Sequence, residues 1–211
     1  MDIYYLGHSS FRLRGREATV ITDPFPKGLG YNLGRIAAQI VTVSHHHPNH
    51  DAVSSVVGTP TVVEGPGEYE ISSVFITGVG TYHDREKGAR RGKNTVYVVE
   101  MDDLTVCHLG DLGHVLTTDE TELMSQVDVL LVPVGGVTSL DAASAAEVVT
   151  LLDPRIVIPM HYRTPVADTA LEGPEGFFRQ MGLKEPQAES KLSIAHSSLP
   201  SETQVVLLDY R

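Results

Sequence analysis

The sequence predicts an α/β protein, and three observations on its 211 residues support this fold class. Short runs of β-branched and aromatic residues, separated by turns that contain glycine, fill the first half of the chain. Strand-like apolar runs alternate with segments of helical periodicity in the second half. No change in composition and no flexible linker divides the two halves. We therefore expect one domain over residues 1–211, with some parallel strand pairs and with helices that cover the sheet faces.

Nine strands are expected in the first half, because each of nine runs is rich in β-forming residues and is bounded by turn signals. The run IVTVS at residues 40–44 is typical of a strand that is buried on both faces. The short turn at Asp102-Asp103 favours a hairpin between the last two strands of this half. The predicted strands are residues 2–6, 10–14, 18–22, 40–44, 60–64, 68–72, 74–79, 95–101 and 104–110.

Three helices and three strands are expected in the second half. Thr118 or Asp119 can cap the first helix, and acidic residues follow in its first turn. The second helix has apolar spacing near 3.6 residues, and Asp153-Pro154 ends it. The predicted helices are residues 117–127, 139–153 and 174–183, and the predicted strands are residues 128–134, 155–162 and 203–210.

Composition and charge disfavour several classes of protein. The chain carries a net charge of −11, so nucleic acid is not an expected partner, because its backbone attracts clustered positive charge. It contains no apolar run of about 18 residues, so no membrane-spanning helix is expected. The one cysteine, Cys107, cannot form a disulfide within the chain, and the N-terminus does not look like a signal peptide. We therefore expect a soluble, cytoplasmic protein.

The segment SHHHPNHD at residues 44–51 holds four of the ten histidines of the chain. It follows a predicted buried strand, so His45 and His47 can aim two imidazoles at one point. A turn at Pro48 can then bring His50 to the same cavity. Neutral imidazoles are common ligands of zinc and similar ions. The cluster therefore predicts a metal site, with a polar loop that is rich in histidine by chance as the alternative.

Further metal-competent side chains follow three other predicted strands. His83, Asp111 and His161 each stand at or near a strand end, beside glycine, proline or another turn residue. In sheets flanked by helices, ligands gather outside the carboxyl ends of strands. Four strand ends with the same chemistry favour one shared metal site. Two ions in such a site can share a hydroxide, and a carboxylate between them lowers their mutual repulsion.

Longer motifs around these residues carry a family resemblance. The segments YYLGHSSFRL, VITDPF, LGDLGH and VIPMHY, together with the histidine cluster, occur in a specific order along the chain. In this order the chain resembles the metallo-β-lactamase superfamily. It is similar to the branch of small metal-dependent hydrolases that includes ascorbate-6-phosphate lactonase. The resemblance covers residues 3–163 and implies an αββα sandwich, in which two mixed β-sheets lie face to face with helices on the outer faces.

The resemblance also implies a role for each matching residue. Three histidines would hold one ion, two would hold a second ion, and an aspartate would bridge the two. Asp23 would accept a hydrogen bond from a ligand imidazole, with a plain Asp-Pro turn as the alternative, and His8 would lie near the pocket. The implied ligands are His45, His47 and His83 for the first ion, His50 and His161 for the second, and Asp111 as the bridge, with Asp111 and His161 also assigned to catalysis.

Asn49 stands where the family normally has an aspartate that binds the second ion. Its carbonyl oxygen can bind a metal ion, but it is neutral and therefore a weaker ligand than a carboxylate. It also cannot accept a proton from the attacking water, so any catalytic role of Asn49 lacks general-base help. We therefore expect one or two divalent ions. The histidines favour zinc, with manganese and iron as alternatives.

A basic segment begins directly after His83. Residues 84–94 carry five basic and two acidic side chains, which give a local charge of +3. A charge of this sign beside the cleft suits a phosphorylated or carboxylated substrate, and we expect Arg90 and Arg91 to bind it. A solvated loop whose charges only aid solubility is the alternative.

Together these features predict a metal-dependent hydrolase. A metal-activated hydroxide would open an ester-like bond, such as a lactone or a phosphodiester, in a small anionic substrate. Two alternatives stay open, because one fold serves many reactions. The first is a nucleic-acid phosphodiesterase or ribonuclease on the same fold, and the second is a weakly active module that senses a metal or another ligand. The sequence predicts neither the substrate nor the oligomeric state.

Overall fold

Two β-sheets, one of six strands and one of seven, form the body of the protein in a computed structural model. The structure describes residues 1–124, 126–167 and 170–210. The elements in chain order are β1 (Asp2–Gly7), β2 (Ser10–Arg14), β3 (Thr19–Thr22), β4 (Ile40–Val43), β5 (Thr61–Glu64), β6 (Gly67–Ile71), β7 (Val74–Tyr82), β8 (Lys93–Met101), β9 (Leu104–His108), α1 (Thr118–Glu122), β10 (Val129–Pro133), α2 (Ala142–Leu152), β11 (Ile156–Met160), α3 (Glu175–Gln180), β12 (Leu192–Ser193) and β13 (Gln204–Val205).

Both sheets are mixed, as predicted. The six-stranded sheet has the order β12-β1-β2-β3-β4-β5, in which β1, β2 and β3 pair antiparallel and β3, β4 and β5 pair parallel. The seven-stranded sheet has the order β13-β11-β10-β9-β8-β7-β6. Its strands β6 to β9 are antiparallel neighbours, and β9, β10, β11 and β13 are parallel. The predicted pair of mixed sheets is therefore confirmed.

Alternation along the strands divides the apolar side chains between two cores. On β1, Ile3 and Tyr5 belong to the large core that both sheets share, whereas Tyr4 and Leu6 belong to a smaller core. Successive residues of a strand point to opposite faces, so this division shows that the six-stranded sheet is covered on both sides. The seven-stranded sheet contributes wholly buried strands to the large core, including every residue of β10 and β11.

The helical layer lies on the seven-stranded sheet. Helix α2 packs beside α3 and against β10. The side chain of Asp141 caps α2 by accepting the Ser144 N–H at 2.8 Å, and Asp153 ends it in the left-handed conformation. On the other sheet, Phe25 and Tyr31 from the irregular segment between β3 and β4 cover the outer face. Within the described residues, no α-helix belongs to that face.

The first predicted helix, residues 117–127, is much shorter than expected. Thr117 forms a capping box with Glu120, but the helix ends after Glu122. Leu123 is 63% exposed, and the chain turns at Gln126, which has a φ of 64°. The segment therefore has no continuous apolar face that could stabilise further turns. Ser125, which this prediction also included, lies outside the described residues.

The predicted C-terminal strand, residues 203–210, is also shorter. Only β13 pairs with the seven-stranded sheet, through Ile156 and Val157 of β11. The chain then crosses to the other sheet, where Tyr210 bridges Tyr5 of β1. A segment that connects two sheets cannot keep regular pairing with one of them, which explains why the strand ends early.

Among the described residues, no helix is long and apolar enough to span a membrane.

Candidate metal centre

The predicted site residues meet at one end of the sandwich, because each of them follows the carboxyl end of a strand. His8 follows β1, Asp23 follows β3, and the histidine cluster follows β4. On the facing sheet, His83 follows β7. Asp111 and His161 lie beyond the ends of β9 and β11. The strand-end pattern that the sequence shows thus becomes a single three-dimensional cluster.

Strained turns aim three of these side chains. His8, Asp23 and His161 have φ values of 56°, 39° and 52°, in the left-handed region that residues with a side chain disfavour. Such a conformation costs about 1–3 kcal/mol and persists only where the surrounding structure holds it. The carbonyl of His8 accepts hydrogen bonds from the Tyr5 hydroxyl and from the His161 N–H, both at 2.8 Å. Two of the strained turns are therefore linked to each other.

A cavity of about 390 Å³ opens above these residues. Its base is formed by the candidate ligands, and its rim includes Arg91, Val137, Thr138, Ala170 and Leu171. Asp111 is the one carboxylate among the described residues that line it. The cavity therefore combines a nitrogen-rich base, one cation and an apolar wall.

Asp111 occupies the centre of the cluster. Its Oδ2 lies 2.9 Å from Nε2 of His83, 3.4 Å from Nε2 of His50 and 3.5 Å from Nε2 of His161. Its Oδ1 accepts a hydrogen bond from the Ser9 hydroxyl at 3.3 Å. One carboxylate oxygen therefore faces histidines from both halves of the cluster, as a bridge between two ions requires, while the other is anchored to the protein.

Asp23 orients two imidazoles from beneath. Its Oδ2 accepts Nδ1–H of His50 at 3.0 Å and the Ser44 hydroxyl at 2.5 Å. Because the Ser44 hydroxyl donates its hydrogen to Asp23, Nδ1 of His45, which lies 2.9 Å from Ser44 Oγ, must donate to that oxygen. Both imidazoles thus keep their Nε2 lone pairs free for a metal ion.

The histidine cluster separates into inward and outward side chains. The His45 ring lies 4.4 Å from the His50 ring and 4.8 Å from the His83 ring, between centroids. His47 lies on the exposed side, with its ring 5.9 Å from that of His45. The His46 side chain is 78% exposed and lies 3.7 Å from Asp51. His46 therefore points away from the other three, as an extended segment requires.

Three groups of side chains have ligand atoms within 4.8 Å of one another. Two of them contain only residues that the resemblance implies as ligands, but they divide these residues differently: one joins His50 to two first-ion histidines, and the other holds His45 and His83 with Asp111 but not His47. The third contains His8, which the sequence placed only beside the pocket. The groups are His45, His47 and His50; His45, His83 and Asp111; and His8, His50 and His161.

Burial and charge keep most of these imidazoles neutral. Burial lowers the pKa of His45 and of His161 to about 4. Burial also opposes the charged form of His50, but Asp111 and the hydrogen bond to Asp23 outweigh it and raise its pKa. Burial disfavours the carboxylate of Asp111, yet the nearby His161 and His50 hold its pKa well below the usual range. Neutral imidazoles around an ionised carboxylate are the protonation states that a metal ion needs.

The metal-free protein is expected to lose stability as the pH falls from about 6.5 to about 4. In this range unfolded His45 and His161 bind protons that the folded forms, with pKa values near 4, do not bind. The unfolded state is therefore favoured by about 3–4 kcal/mol between pH 7 and pH 5 through these two histidines, and the raised pKa of His50 opposes part of this effect. Urea unfolding of chelator-treated protein at both pH values measures this. A double variant, His45→Gln with His161→Gln, should show a smaller pH dependence, and an unchanged dependence would contradict the assignment.

Asn49 lies at the edge of the cavity and is partly buried. Its backbone N–H donates to Nδ1 of His47 at 3.3 Å. Its side-chain amide makes no hydrogen bond with any described residue. That Asn49 binds the second ion, or takes part in catalysis, stays a prediction.

The structure separates the two arginines that the sequence treated together. Arg91 lines the cavity, and its guanidinium donates to the Val137 carbonyl at 3.2 Å. Arg90 lies outside the cavity lining, because its Nε pairs with the Glu86 carboxylate at 2.8 Å. The substrate role predicted for Arg90 therefore has no support in its position, and only Arg91 faces the space above the ligands.

The loop that carries these arginines is folded around a carboxylate. Asp84 accepts backbone N–H groups of Glu86, Gly88, Arg90 and Arg91 at 2.7–3.0 Å. Desolvation would raise the pKa of Asp84, but these four hydrogen bonds outweigh it and lower the pKa to about 2. The loop backbone is therefore fixed from within, which positions Arg91 at the rim.

Several supporting residues were not found from the sequence. Ser9 donates to Asp111 across 102 residues of chain, and Asn94 accepts the Asp111 N–H at 3.0 Å. Gly110 allows this approach, because a Cβ there would lie 2.5 Å from Asn94 Oδ1. Ser139 lies 3.3 Å from Nδ1 of His161. No sequence spacing connects these distant positions. Ser44 stands directly before the histidine cluster, so its role beside His45 could have been predicted from the sequence.

The family of this chain follows from its similarity to known proteins. Residues 2–161 match the family described as the beta-lactamase superfamily domain. The chain belongs to this superfamily. A UPF0173 metal-dependent hydrolase of Thermococcus kodakarensis is 30% identical to it, over 87% of this chain and 93% of the relative. A second UPF0173 metal-dependent hydrolase, from Pyrococcus horikoshii, is 32% identical over the same shares of the two chains.

A solved structure agrees with this assignment to the beta-lactamase superfamily. A protein of Thermotoga maritima, described as a candidate Zn-dependent hydrolase of the metallo-beta-lactamase superfamily, is 36% identical and superposes with a TM-score of 0.82. The match covers 100% of this chain and 99% of that protein. The predicted fold class is therefore confirmed, as is the prediction of a metal-dependent hydrolase of this superfamily. Similarity to ascorbate-6-phosphate lactonase in particular stays a prediction.

Proposed function

We propose that this protein hydrolyses an ester-like bond, a lactone or a phosphodiester, in a small anionic molecule in the cytoplasm. The observation that carries the proposal is the arrangement around Asp111. One carboxylate oxygen faces Nε2 atoms of three histidines within 3.5 Å, at the base of an open cavity. A carboxylate shared by two ions lowers their mutual repulsion, and two ions at the base of a cavity can activate water and substrate.

The donor atoms present fit divalent zinc. The three candidate groups contain imidazole nitrogens and one carboxylate, without sulfur and with few oxygen donors. Such nitrogen-rich sets suit zinc and, among the alternatives, iron more than magnesium or calcium. When bound, the ions would supply a hydroxide at neutral pH and polarise the bond that breaks.

The side chains of this chain have distinct tasks in the proposed reaction. Asp23 orients His45 and His50 through the hydrogen bonds described above, so two ligands are held ready before an ion arrives. Ser9 anchors the outer oxygen of Asp111. These contacts reduce the reorganisation that binding and reaction would otherwise require.

The rim favours a substrate that has both an anionic and an apolar part. Arg85 and Arg90 of the basic segment are paired with Asp141 and Glu86, each at 2.9 Å or less. The Arg91 guanidinium contacts only a carbonyl among the described residues, so no carboxylate neutralises its charge. The same rim also includes Val137 and Leu171. An anionic group can therefore bind Arg91 while an apolar group packs on these apolar residues.

Hydrolysis of simple model compounds tests the proposed function. The zinc-loaded protein is expected to hydrolyse bis(p-nitrophenyl) phosphate or a small carboxylated lactone, to lose this activity after chelation and to recover it on return of zinc. Parallel loading with manganese and with iron would show which ion supports the fastest turnover. A protein that holds its ions but hydrolyses neither class of compound would contradict the proposal and favour a sensor module.

Exchange of single arginines tests the role of the rim. We expect Arg91→Gln to raise KM for bis(p-nitrophenyl) phosphate about tenfold, because one charge-assisted hydrogen bond to the substrate is lost. The matched control is Arg90→Gln, which removes an adjacent charge outside the cavity and should leave KM unchanged. Hydrolysis of the neutral ester p-nitrophenyl acetate should respond to neither change. Equal effects of both variants on the phosphodiester would point to general electrostatic attraction instead.

A further inference from the structure

We propose that His8 is a direct ligand of the second metal ion and takes the place of the carboxylate that Asn49 lacks. The inference rests on the proposed function, because it assumes that divalent ions bind at this centre. The second ion would then be held by His8, His50, His161 and the shared Asp111. This set differs from the one that the histidine cluster suggests, because its first member comes from the turn between β1 and β2.

The distances between the donor atoms match a four-coordinate ion. Two ligand atoms on a tetrahedral zinc ion lie about 3.3 Å apart, since each is about 2.0–2.1 Å from the metal. Nε2 of His8 lies 3.1 Å from Nε2 of His50. Asp111 Oδ2 lies 3.4 Å from Nε2 of His50 and 3.5 Å from Nε2 of His161. These three edges of the proposed site are therefore within about 0.2 Å of the tetrahedral value.

The backbone is built to hold His8 at this place. The His8 ring lies 4.6 Å from the His161 ring and 4.7 Å from the His50 ring, between centroids, and all three are buried. His8 adopts a left-handed conformation, and its carbonyl is bound by both Tyr5 and His161. A strained, doubly anchored residue whose side chain points into a functional cavity indicates a role at the site.

A hydrogen bond between the His8 and His50 rings explains less of the geometry than a metal ion bound by both of them. Asp23 accepts Nδ1–H of His50, so the neutral His50 ring presents a lone pair on Nε2 towards His8. His8 can donate Nε2–H to this lone pair in the absence of an ion. Its Nδ1 has no partner among the described residues, so the proton can move there at little cost and free a second lone pair. Two lone pairs and the Asp111 oxygen then face one space.

Asn49 is less suited to this role than His8. It is neutral, partly exposed and anchored only through its backbone, whereas His8 is 93% buried in the cluster. An imidazole in place of a carboxylate keeps the ligand number at four but leaves the second ion one negative charge short. The second site should therefore bind zinc, which accepts nitrogen ligands, in preference to manganese, which favours oxygen ligands.

Zinc stoichiometry and affinity test the inference without reference to turnover. We expect the wild-type protein to bind two zinc ions. We expect His8→Asn to weaken the affinity for the second zinc ion about 100-fold or more and the affinity for the first ion by less than about twofold. Loss of a residue that only orients a ligand already costs about 10- to 100-fold in affinity, and loss of the ligand itself should cost at least as much. Asparagine tolerates the left-handed backbone of residue 8 but is too short to reach the ion, and His8→Gly is the second variant if folding is impaired. His46→Ala is the matched control, because His46 belongs to the same histidine segment but its exposed side chain points away from the candidate ligands.

A rescue variant makes the test specific. Asn49→Asp introduced into His8→Asn should restore tight binding of the second ion, since the carboxylate then supplies the missing ligand. Competition with a chromophoric chelator and elemental analysis give both affinities. Two tightly bound ions in both His8 variants would overturn the inference, as would a single ion in the wild-type protein at any zinc concentration. Neither of these results would depend on whether a substrate is hydrolysed, so the proposed hydrolase function is tested separately.

Discussion

The variant Asp111→Asn is expected to bind at most one zinc ion and to lose hydrolysis by a factor of about 10³ or more. In the wild-type protein, Oδ2 of Asp111 lies within 3.5 Å of Nε2 of His83, His50 and His161. An amide removes the one negative charge among the described cavity-lining side chains, so the mutual repulsion of two divalent ions is no longer offset. The activation of water and substrate by the ions is worth several kcal/mol, and about 1.4 kcal/mol corresponds to a factor of ten in rate.

Metal analysis and kinetics with bis(p-nitrophenyl) phosphate measure this result, with circular dichroism to verify that the variant is folded. Asp51→Asn is a suitable control, because Asp51 lies in the same region but contacts the outward-facing His46. It should keep both ions and the wild-type rate. Should Asp111→Asn retain two tightly bound ions, the carboxylate would not be the bridge, and the assignment of the centre would have to be changed.

The variant Asp23→Ala is expected to lower the free energy of unfolding by about 3–5 kcal/mol and to weaken both ions about 10- to 100-fold. Asp23 is fully buried, and its carboxylate accepts the Ser44 N–H, the Ser44 hydroxyl and Nδ1–H of His50. Alanine leaves these buried donors without an acceptor. Without Asp23, the Nδ1 atoms of His45 and His50 are no longer held in the protonated form that leaves Nε2 free for a metal ion. These two histidines bind different ions in the proposed arrangement, so both ions should be affected.

Chemical denaturation with and without zinc, together with zinc competition assays, tests both parts of this expectation. Asp23→Asn keeps the shape but provides one acceptor oxygen in place of two, so it should show an intermediate loss. Asp209→Ala removes an exposed aspartate and serves as the control. A stability loss without any change in metal affinity would mean that Asp23 is only structural, as a plain Asp-Pro turn would be.

Local sequence features predicted most of the strands, and they placed three of the candidate ligands at one strand end. His45, His47 and His50 lie within six residues at the end of one strand, so the alternation of a β-strand and one turn bring them together. Helix α2 was recognised because its apolar residues are spaced near 3.6 and Asp153-Pro154 ends it, whereas its Asp141 cap became apparent only in the structure. Helix α1 and strand β13 were overestimated, since their ends depend on burial and on pairing partners elsewhere in the chain.

Contacts between distant segments could not be predicted in this way. Arg90 and Arg91 are neighbours with the same side chain, yet only Arg91 reaches the cavity. The difference arises from four backbone hydrogen bonds to Asp84 and from the partner available to each guanidinium. The direction in which each arginine side chain points therefore depends on the folded conformation of the loop.

By itself, the sequence determined the class of chemistry, because imidazoles and one carboxylate after buried strands suit a metal centre wherever those strand ends meet. It also exposed the irregular position, Asn49, at which the expected carboxylate is absent. Only the tertiary structure decided which side chain faces that gap. His8 lies 42 residues before His50, but the pairing of β1, β2, β3 and β4 in one sheet brings their Nε2 atoms to 3.1 Å. Ligand identity is set by such distances, and distances between strands arise only when the sheet has formed.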